Sequence, residues 1–237
     1  MLLTHTCCYL PHSQALNPDR RVVFLDTSGL PGSSELVQGD GVSNPGEAGV
    51  VSRLLRGLLA SGAEAFDIGL VSPYRAQVEL IWFSNTQAYY FAWALILRKT
   101  CILSNTSIPC TQVAALARLA KTELLRHSSP GVEEGQQHHQ QLEQIEALTI
   151  DRYQGRDKAC IILSLVRSNA DGRAGRLLRD RERINVALTR AKHKLIMVGC
   201  ADVLRASTPV LGELLDEVDR RGWRLQLMPP PLPPSPP

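Results

Sequence analysis

The amino-acid sequence predicts an α/β fold in which helices cover both faces of a parallel sheet. Short apolar runs alternate with helical patterns along most of the chain, which is typical of successive βαβ units. The run Ala159–Val166 (ACIILSLV) is apolar throughout, as expected of a strand that is covered on both faces. A capped amphipathic helix that follows Asn44 separates the first two strands.

The first half of the chain carries the clearest local signals. Asn44 can cap a helix, Pro45 suits its first position, and Glu47 stands three residues after the cap. Gly62 marks the expected end of that helix. The remaining elements predicted here are a strand at Val22–Asp26, a Gly- and Ser-rich loop at Leu30–Val42, a strand at Asp67–Val71 and a helix at Tyr74–Ile81.

The second half continues the same alternation after a long interruption. Its predicted strands are Ala147–Asp151, Ala159–Val166 and Lys194–Gly199, and its predicted helices are Arg181–Ala191 and Val210–Arg221. Residues 82–110 are aromatic and aliphatic without a period, and residues 128–144 are rich in Gln, His and Glu. We therefore predict one domain at 21–227 with an insertion at 82–145, an unassigned segment at 1–20 and a disordered Pro-rich tail at 228–237.

Composition and charge indicate a globular protein with one basic face. The 237 residues are 44% hydrophobic and 21% charged, which excludes wholesale disorder. The net charge is only +3, but Arg and Lys crowd the stretch from Arg152 to Lys194, while acids collect at 133–146 and 213–219. A basic face of this kind suits the binding of phosphate groups.

The cysteines give no sign of a metal or disulfide framework. The six residues form no C-x-x-C pair, so neither a zinc site nor an iron–sulfur cluster is expected; they are Cys7, Cys8, Cys101, Cys110, Cys160 and Cys200. We expect them to be small buried hydrophobic residues in a reducing compartment. The start of the chain lacks the features of a signal peptide, and the most apolar run, Ala88–Leu97, is too short for a membrane span.

Three segments combine polar residues with positions that could bind a ligand. In the first, Ser72, Pro73, Tyr74 and Arg75 join the end of a buried strand to the start of a helix. Free amides and the helix dipole favour phosphate at such a junction. A plain strand–turn–helix connection explains the same residues.

The second segment is a polar turn between two predicted strands. Gln154, Gly155 and Asp157 lie in this turn, where the glycine would let the backbone approach a ligand closely. Asp157 could accept a hydrogen bond from a ribose hydroxyl. A surface loop with charged residues is the alternative.

The third segment, Arg181–Gly199, predicts a helix followed by a strand. A helix would place Asn185, Thr189 and Lys192 on one face, with Arg190 at its end. A guanidinium in that position could reach the γ-phosphate of a nucleotide bound by another lobe. A basic, solvated helix face is the alternative.

Together, the three segments resemble motifs IVa, V and VI of superfamily-1 helicases of the Upf1-like branch, in this order. The stretch Val22–Ile81, with its FLDT, N-x-x-EA and SPYRAQ elements, is similar to the second, carboxy-terminal RecA-like lobe of that family. The run DRYQGRDKACIILSLVRSNADG, followed by INVALTRAKHKLIMVGC, resembles the helicase–nucleases of eukaryotic DNA replication. The resemblance covers roughly residues 22–81 and 146–215.

This resemblance implies a role for each matching residue. It makes Arg190 the catalytic arginine finger that senses the γ-phosphate, and Asn185 and Thr189 the residues that orient the motif VI helix. It assigns nucleotide binding to Gln154, Gly155 and Asp157, together with Arg190. It assigns nucleic-acid binding, or a place at the lobe interface, to Ser72, Pro73, Tyr74 and Arg75, with Arg167 and Lys192 as further phosphate contacts.

The resemblance also implies ATP and Mg²⁺ as cofactors, held mainly by a second lobe that carries a P-loop. The sequence has no Gly-Lys dipeptide and hence no P-loop, and Asp216-Glu217 is predicted to be a helix face rather than a metal-binding Walker B pair. We therefore expect this partial motor lobe to be inactive as an ATP hydrolase by itself. A non-catalytic module that binds nucleic acid or a partner, or an RNA-acting Upf1-like lobe, stays open as an alternative.

The expected partners are single-stranded DNA, the P-loop lobe of the same motor, and replication and repair proteins, without a membrane. The expected locations are the nucleus and, in addition, the mitochondrion. The insertion adds a patch of aromatic residues on which bases could stack, namely Trp82, Phe83, Tyr89, Tyr90, Phe91 and Trp93.

Overall fold

The computed structural model describes residues 12–85, 141 and 144–228. The chain divides into two compact units, one formed by Met1–Ile81 with Ile145–Pro237 and the other by Trp82–Gln144. The first unit contains the sheet that is described below. Most of the predicted insertion, including Tyr89, Tyr90, Phe91 and Trp93, lies outside the described residues, as do the predicted tail from residue 229 onward and residues 1–11.

A six-stranded sheet, parallel throughout, forms the centre of the first unit, in the order β5-β4-β6-β7-β1-β8. An antiparallel two-stranded hairpin, β2-β3, lies outside this sheet. The strands are β1 Val22–Asp26, β2 Leu36–Gln38, β3 Gly41–Ser43, β4 Ile68–Ser72, β5 Glu146–Thr149, β6 Lys158–Ser164, β7 Ala191–Gly199 and β8 Arg224–Gln226. The predicted parallel α/β, RecA-like fold is thus confirmed.

The helices alternate with these strands. They are α1 His12–Ala15, α2 Pro45–Ala60, α3 Arg75–Asn85, α4 Gly175–Arg179, α5 Arg181–Leu188, α6 Ala201–Ser207 and α7 Pro209–Arg220. A short 3-10 turn at Ala65–Asp67 precedes β4, and another at Ile150–Tyr153 follows β5. Helix α2 begins at Pro45, as predicted, and α7 begins at Pro209, one residue before the predicted Val210. Proline suits the first helical position in both.

The central strands bury both of their faces. Ile161 and Leu163 of β6 point into one apolar cluster, which also contains Ile184 of α5 and Leu215 of α7. Ile162, which alternates to the other face, is fully buried as well. There, α2 contacts β6 and β7 and contributes a buried stripe consisting of Val50, Val51, Leu54, Leu55 and Leu58. Burial on both faces explains why β6 is apolar between its polar ends, from Ala159 to Leu163.

Close packing fixes a glycine in β4. A Cβ atom added at Gly69 would overlap the hydroxyl of Tyr153 and lie 2.7 Å from Cδ1 of Ile161. Tyr153 is fully buried, and its hydroxyl has no hydrogen-bond partner among the described residues. Burial, reinforced by the negative charge of Glu146, raises the pKa of Tyr153 above its ordinary value. The ring therefore serves as a core residue beneath the motif V turn.

Several predicted elements differ from the structure. The predicted strand Ala147–Asp151 ends at Thr149, where a 3-10 turn follows, and the strand predicted from Lys194 begins at Ala191. The predicted loop Leu30–Val42 contains β2 and the beginning of β3, which pair with each other across the turn at Gly39 and Asp40. Helix α5 ends at Leu188 instead of Ala191, since Ala191 already pairs with Lys158 across the sheet. Lys192 is consequently a strand residue, and the predicted helix face shared by Asn185, Thr189 and Lys192 is wrong.

Other predictions concern side chains that the structure describes. Cys160 and Cys200 are free and buried, as expected of small hydrophobic residues, whereas the other four cysteines lie outside the described residues. Asp216 and Glu217 lie on α7, as predicted. In the described ranges, no helix has the length and apolarity to cross a membrane, and no group of three or more His, Cys, Asp or Glu side chains could hold a metal ion.

Candidate functional site

The residues singled out by the sequence lie at two opposite edges of the parallel sheet. Asp157 directly precedes β6 and Arg190 directly precedes β7, so both lie where strands begin, which we call the amino edge. Ser72 ends β4 and Arg167 follows the end of β6, so both lie at the carboxyl edge. Parallel strands place their equivalent ends on the same side of a sheet, which separates these two pairs.

At the amino edge, several hydrogen bonds fix the guanidinium of Arg190. Nη1 donates to Oδ1 of Asp157 at 3.0 Å, Nε to the carbonyl of Val186 at 3.0 Å, and Nη2 to Oγ1 of Thr189 at 3.0 Å. The side chain of Arg190 remains 20% exposed and that of Asp157 48% exposed. The guanidinium is thus oriented and still open to a ligand.

The turn before β6 offers open backbone next to this pair. Gly155 has a φ of +78°, and a Cβ atom added there would meet nothing within 4 Å. Gln154 beside it is exposed. The glycine is needed for its left-handed backbone conformation rather than for lack of space. The structure therefore brings Gly155, Asp157 and Arg190 to one accessible surface.

At the carboxyl edge, a buried polar network joins the N-x-x-EA element to the end of β6. Oε2 of Glu47 accepts hydrogen bonds from Oγ of Ser164 at 2.8 Å and from the amide of Val166 at 2.9 Å. Asn44 caps α2 by accepting from the amide of Glu47 at 3.0 Å and donates through Nδ2 to the carbonyl of Val166 at 3.0 Å. Gln77 of the SPYRAQ element accepts from the amide of Asn44 at 2.7 Å and donates to Ser164 at 3.1 Å.

The pKa of the Glu47 carboxyl lies above its ordinary value in this network. Complete burial raises its pKa to about 8, although the hydrogen bonds from Ser164 and Val166 act in the opposite direction. The negative charge of Glu35 contributes to the rise. The predicted capping box is therefore only half correct: Asn44 caps the helix, whereas the carboxylate of Glu47 turns towards β6 instead of the cap amide.

The network stabilises a strained turn at Val166, which determines the direction of the chain at Arg167. Val166 has a φ of +73°, which is rare for a β-branched residue, and the amide of Arg167 donates to the carbonyl of Leu165 at 2.8 Å. The backbone therefore reverses sharply after β6. Strain of this kind persists only where the surroundings enforce it, and Glu47 and Asn44 bind both polar groups of Val166.

Arg167 forms an ion pair with Glu35, which directly precedes β2. Its Nε lies 2.9 Å from Oε2 of Glu35, and its Nη1 donates to the hydroxyl of Tyr74 at 3.4 Å. The same oxygen of Glu35 accepts from the amide of Ser168 at 2.9 Å and from Nδ2 of Asn169 at 3.0 Å. The side chains of Arg167 and Glu35 are 16% and 7% exposed.

The other predicted residues of the carboxyl edge differ in accessibility. Ser72 is fully buried and its hydroxyl accepts from the amide of Tyr74 at 3.3 Å, so it stabilises the turn. Tyr74 is buried, Pro73 is half-buried, and Arg75 is exposed with an ion pair to Glu79. Lys192 is exposed near the start of β7 and thus does not join Arg167.

Several contributors to the carboxyl edge were not predicted as functional residues. They include Glu35, Glu47, Gln77 and Ser164. Glu47 and Gln77 stand inside the N-x-x-EA and SPYRAQ elements, so their motifs could have indicated them. Ser164 is a lone hydroxyl inside the apolar run Ala159–Val166, and Glu35 carries no local signal at all.

Comparisons with known proteins agree with the motifs. A family model described as "AAA domain" matches residues 4–90 and 106–202, which leaves 91–105 of the predicted insertion unmatched. The chain is 35% identical over 212 residues to the DNA replication ATP-dependent helicase/nuclease DNA2 of Mus musculus, a match that covers 90% of this chain and 15% of that protein.

Two further relatives have the same name. That of Xenopus laevis is 37% identical over 189 residues, covering 80% of this chain and 13% of the relative. That of Saccharomyces cerevisiae is 31% identical over 208 residues, covering 88% of this chain and 10% of the relative. The matches thus span between 10% and 15% of the length of these relatives. The resemblance predicted from the motifs is confirmed.

Proposed function

Since the chain belongs to the AAA domain family and is similar to DNA replication ATP-dependent helicase/nucleases, we propose that it is the second motor lobe of an ATP-dependent helicase. The complete enzyme would move along single-stranded DNA during replication and repair. This lobe would supply Arg190 as the arginine finger and the carboxyl edge as part of the DNA groove.

One observation carries the proposal, namely the orientation of Arg190 beside the motif V turn. Its guanidinium is bound by Asp157, Thr189 and Val186 and remains partly exposed. An arginine that is oriented in advance can stabilise the charge that develops on a transferring phosphoryl group without reorganising. The separate carboxyl edge leaves room for a nucleic-acid strand on another side of the same lobe.

ATP and Mg²⁺ would be shared with another lobe. Gly155 and Gln154 offer exposed backbone and an amide for the nucleotide, and Asp157 offers a carboxylate for a ribose hydroxyl. Among the described residues, no group of three or more His, Cys, Asp or Glu side chains could hold a metal ion. We propose that the P-loop lobe of the complete motor holds Mg²⁺. When bound, the metal neutralises phosphate charge, while this chain positions Arg190. We propose the nucleus, and also the mitochondrion, as the locations of the whole enzyme.

The test uses the chain alone and in a complete motor. We expect the purified 237-residue chain to show no ATP hydrolysis with or without oligothymidylate. A chimera in which residues 22–227 replace the corresponding lobe of the mouse relative should hydrolyse ATP when single-stranded DNA is added. Arg190→Ala should abolish this turnover and preserve DNA binding, whereas Arg220→Ala, at an exposed ion pair of α7, should preserve both. Normal turnover in the Arg190→Ala chimera would refute the assignment.

A second candidate is a module that binds nucleic acid or a partner without hydrolysing ATP. The absence of a P-loop motif from these 237 residues favours it. Salt-sensitive binding of oligothymidylate, together with an inactive chimera, would support this reading. Competition between DNA and RNA strands of the same sequence distinguishes a DNA-acting lobe from an RNA-acting Upf1-like lobe.

A further inference from the structure

We propose that Arg167, Ser168 and Asn169 form a phosphate subsite at the carboxyl edge, and that Glu35 occupies this subsite until a backbone phosphate of a nucleic-acid strand displaces it. The inference rests on the proposed function insofar as the phosphate belongs to nucleic acid. It adds an internal competitor whose removal should strengthen binding.

The donors of the subsite converge on one oxygen of Glu35. The amide of Ser168 and Nδ2 of Asn169 donate to Oε2 at 2.9 Å and 3.0 Å, and Nε of Arg167 lies 2.9 Å away. A backbone amide, a side-chain amide and a guanidinium are the groups that proteins use to bind phosphate oxygens. The carboxylate therefore stands where an anionic oxygen is bound.

Glu35 satisfies these donors incompletely. Nε of Arg167 is buried and makes no hydrogen bond among the described residues, because its N–H misses the oxygen of the ion pair. An unsatisfied buried donor of a charged group is costly. A phosphate group presents several oxygens in a tetrahedral arrangement, so it can reach donors that a planar carboxylate leaves unpaired. A phosphate bound here would therefore offer an acceptor to the Nε–H of Arg167, which Glu35 leaves without a hydrogen bond.

The donors are held rigidly, whereas Glu35 lies at the base of an exposed hairpin. The turn at Val166, which carries Arg167, is fixed by Glu47 and Asn44. Strand β2, which starts directly after Glu35, is exposed at all three of its residues. Two-stranded hairpins are marginally stable by themselves. The amide of Glu35 also donates to the carbonyl of Ser168 at 3.1 Å, so the carboxylate leaves the donors by rotation of its side chain while this backbone hydrogen bond stays in place.

The first variant for the test is Glu35→Gln, which keeps the shape and an acceptor oxygen but removes the charge. We would measure the anisotropy of labelled oligothymidylate over a range of salt concentrations, using the full chain. We expect Glu35→Gln to bind roughly fivefold to tenfold more tightly than the wild type at low salt. Glu213→Gln removes the same charge from an exposed position on α7 and controls for net charge.

The second variant tests whether the gain depends on the subsite. Adding Arg167→Gln to Glu35→Gln should abolish the gain, with folding checked by the thermal midpoint. Inorganic phosphate supplies an independent probe: it should raise the thermal midpoint of Glu35→Gln more than that of the wild type or the double variant.

Two outcomes separate this inference from the proposed function. If Glu35→Gln gains neither oligonucleotide nor phosphate binding over the wild type, Glu35 is a structural clamp and the inference is overturned, even when the wild type binds DNA. If phosphate stabilises Glu35→Gln through Arg167 but no variant binds oligothymidylate, the subsite stands and the nucleic-acid function fails. A gain equal to that of Glu213→Gln would also overturn the inference.

Discussion

Arg190 and Asp157 form an ion pair across the beginnings of two neighbouring strands, with 3.0 Å between Nη1 and Oδ1. The strands β6 and β7 are paired at this point through Lys158 and Ala191, so the two side chains have a common, rigid base. The guanidinium is thus oriented by groups of this chain alone. In the proposed motor, Asp157 would be a positioning residue for Arg190.

Asp157→Asn should lower turnover without weakening the fold. We expect kcat of the chimeric motor to fall by about tenfold or more, since a small displacement of a catalytic group is costly. Affinity for oligothymidylate should stay unchanged. The free energy of unfolding should change by less than about 1 kcal/mol, because the pair is partly exposed. Steady-state ATPase assays measure the first effect and urea unfolding the last.

A matched control comes from the same region. Asp151 pairs with Arg183 at 2.9 Å and is 61% exposed, so Asp151→Asn removes a similar ion pair that does not involve Arg190. This variant should keep the turnover of the wild type. Equal kcat values for Asp157→Asn and the wild type would contradict the positioning role.

The stability of the chain should depend on the protonation of Glu47. Its folded pKa of about 8 lies above the ordinary value of 4.5, so folding favours the neutral acid. The stability contributed by the proton is fully present below the unfolded pKa and is lost as the pH rises through the folded pKa. The slope between these values should approach about 1.4 kcal/mol per pH unit.

Glu47→Gln checks this dependence, since the amide imitates the neutral acid. Urea unfolding between pH values of about 5 and 8 should show the wild type losing stability relative to the variant as the pH rises. Glu79→Gln, at an exposed ion pair, should follow the wild-type curve. Parallel curves for the wild type and Glu47→Gln would show that the carboxyl is ionised throughout.

Gly69→Ala should destabilise the sheet by overpacking. The added methyl group would overlap the hydroxyl of Tyr153 and approach Ile161, so we expect a loss of about 1–3 kcal/mol or more. Adding Tyr153→Phe should restore part of this loss by removing the overlapping hydroxyl. Gly49→Ala is the control, because a Cβ atom at this helical position meets nothing within 4 Å. This substitution should raise the free energy of unfolding by about 0.5–1 kcal/mol, since alanine favours a helix more than glycine does. Urea unfolding of the variants measures these differences. An unchanged free energy of unfolding in Gly69→Ala would disprove the close packing.

Because the turn at Val166 is strained, we expect glycine to be more stable than alanine at this position, which is the reverse of the order in a regular strand. Both Val166→Ala and Val166→Gly lose buried methyl groups, but only glycine adopts a φ of +73° without strain. We expect the glycine variant to exceed the alanine variant by about 1 kcal/mol in unfolding free energy. At Val198, in the regular strand β7, alanine should be the more stable of the two substitutions. The same order at both positions would argue against strain at Val166.

The sequence predicted the strands and the long helices well where their signals are local. Val22–Asp26 is a strand with the predicted bounds, and Asn44 caps α2 as expected. It did not predict the hairpin β2-β3, β8 or the short helices α4 and α6. These elements contain few residues, so their local preferences are weak and distant contacts stabilise them. The amide of Glu35, for example, donates to the carbonyl of Ser168 at 3.1 Å, far along the chain.

Within the candidate site, the motifs identified Arg190, Asp157 and Tyr74 but not how their side chains are grouped. Arg167 and Lys192 were assigned together to phosphate contact, yet one follows the end of β6 and the other lies near the start of β7. Residue types in a motif indicate chemistry, whereas the grouping depends on the order and direction of strands.

The sequence by itself determined the α/β alternation, the capped start of α2, the three motifs and the relationship to helicases, because these depend on neighbours within a few residues. Only the tertiary structure decided which distant groups meet. Glu47 and Val166 are 119 residues apart, and Arg190 and Asp157 are 33 apart, yet each pair is in contact. The ion pair between Glu35 and Arg167 and the raised pKa of Glu47 likewise arise from packing, since burial and charge proximity are properties of the assembled sheet.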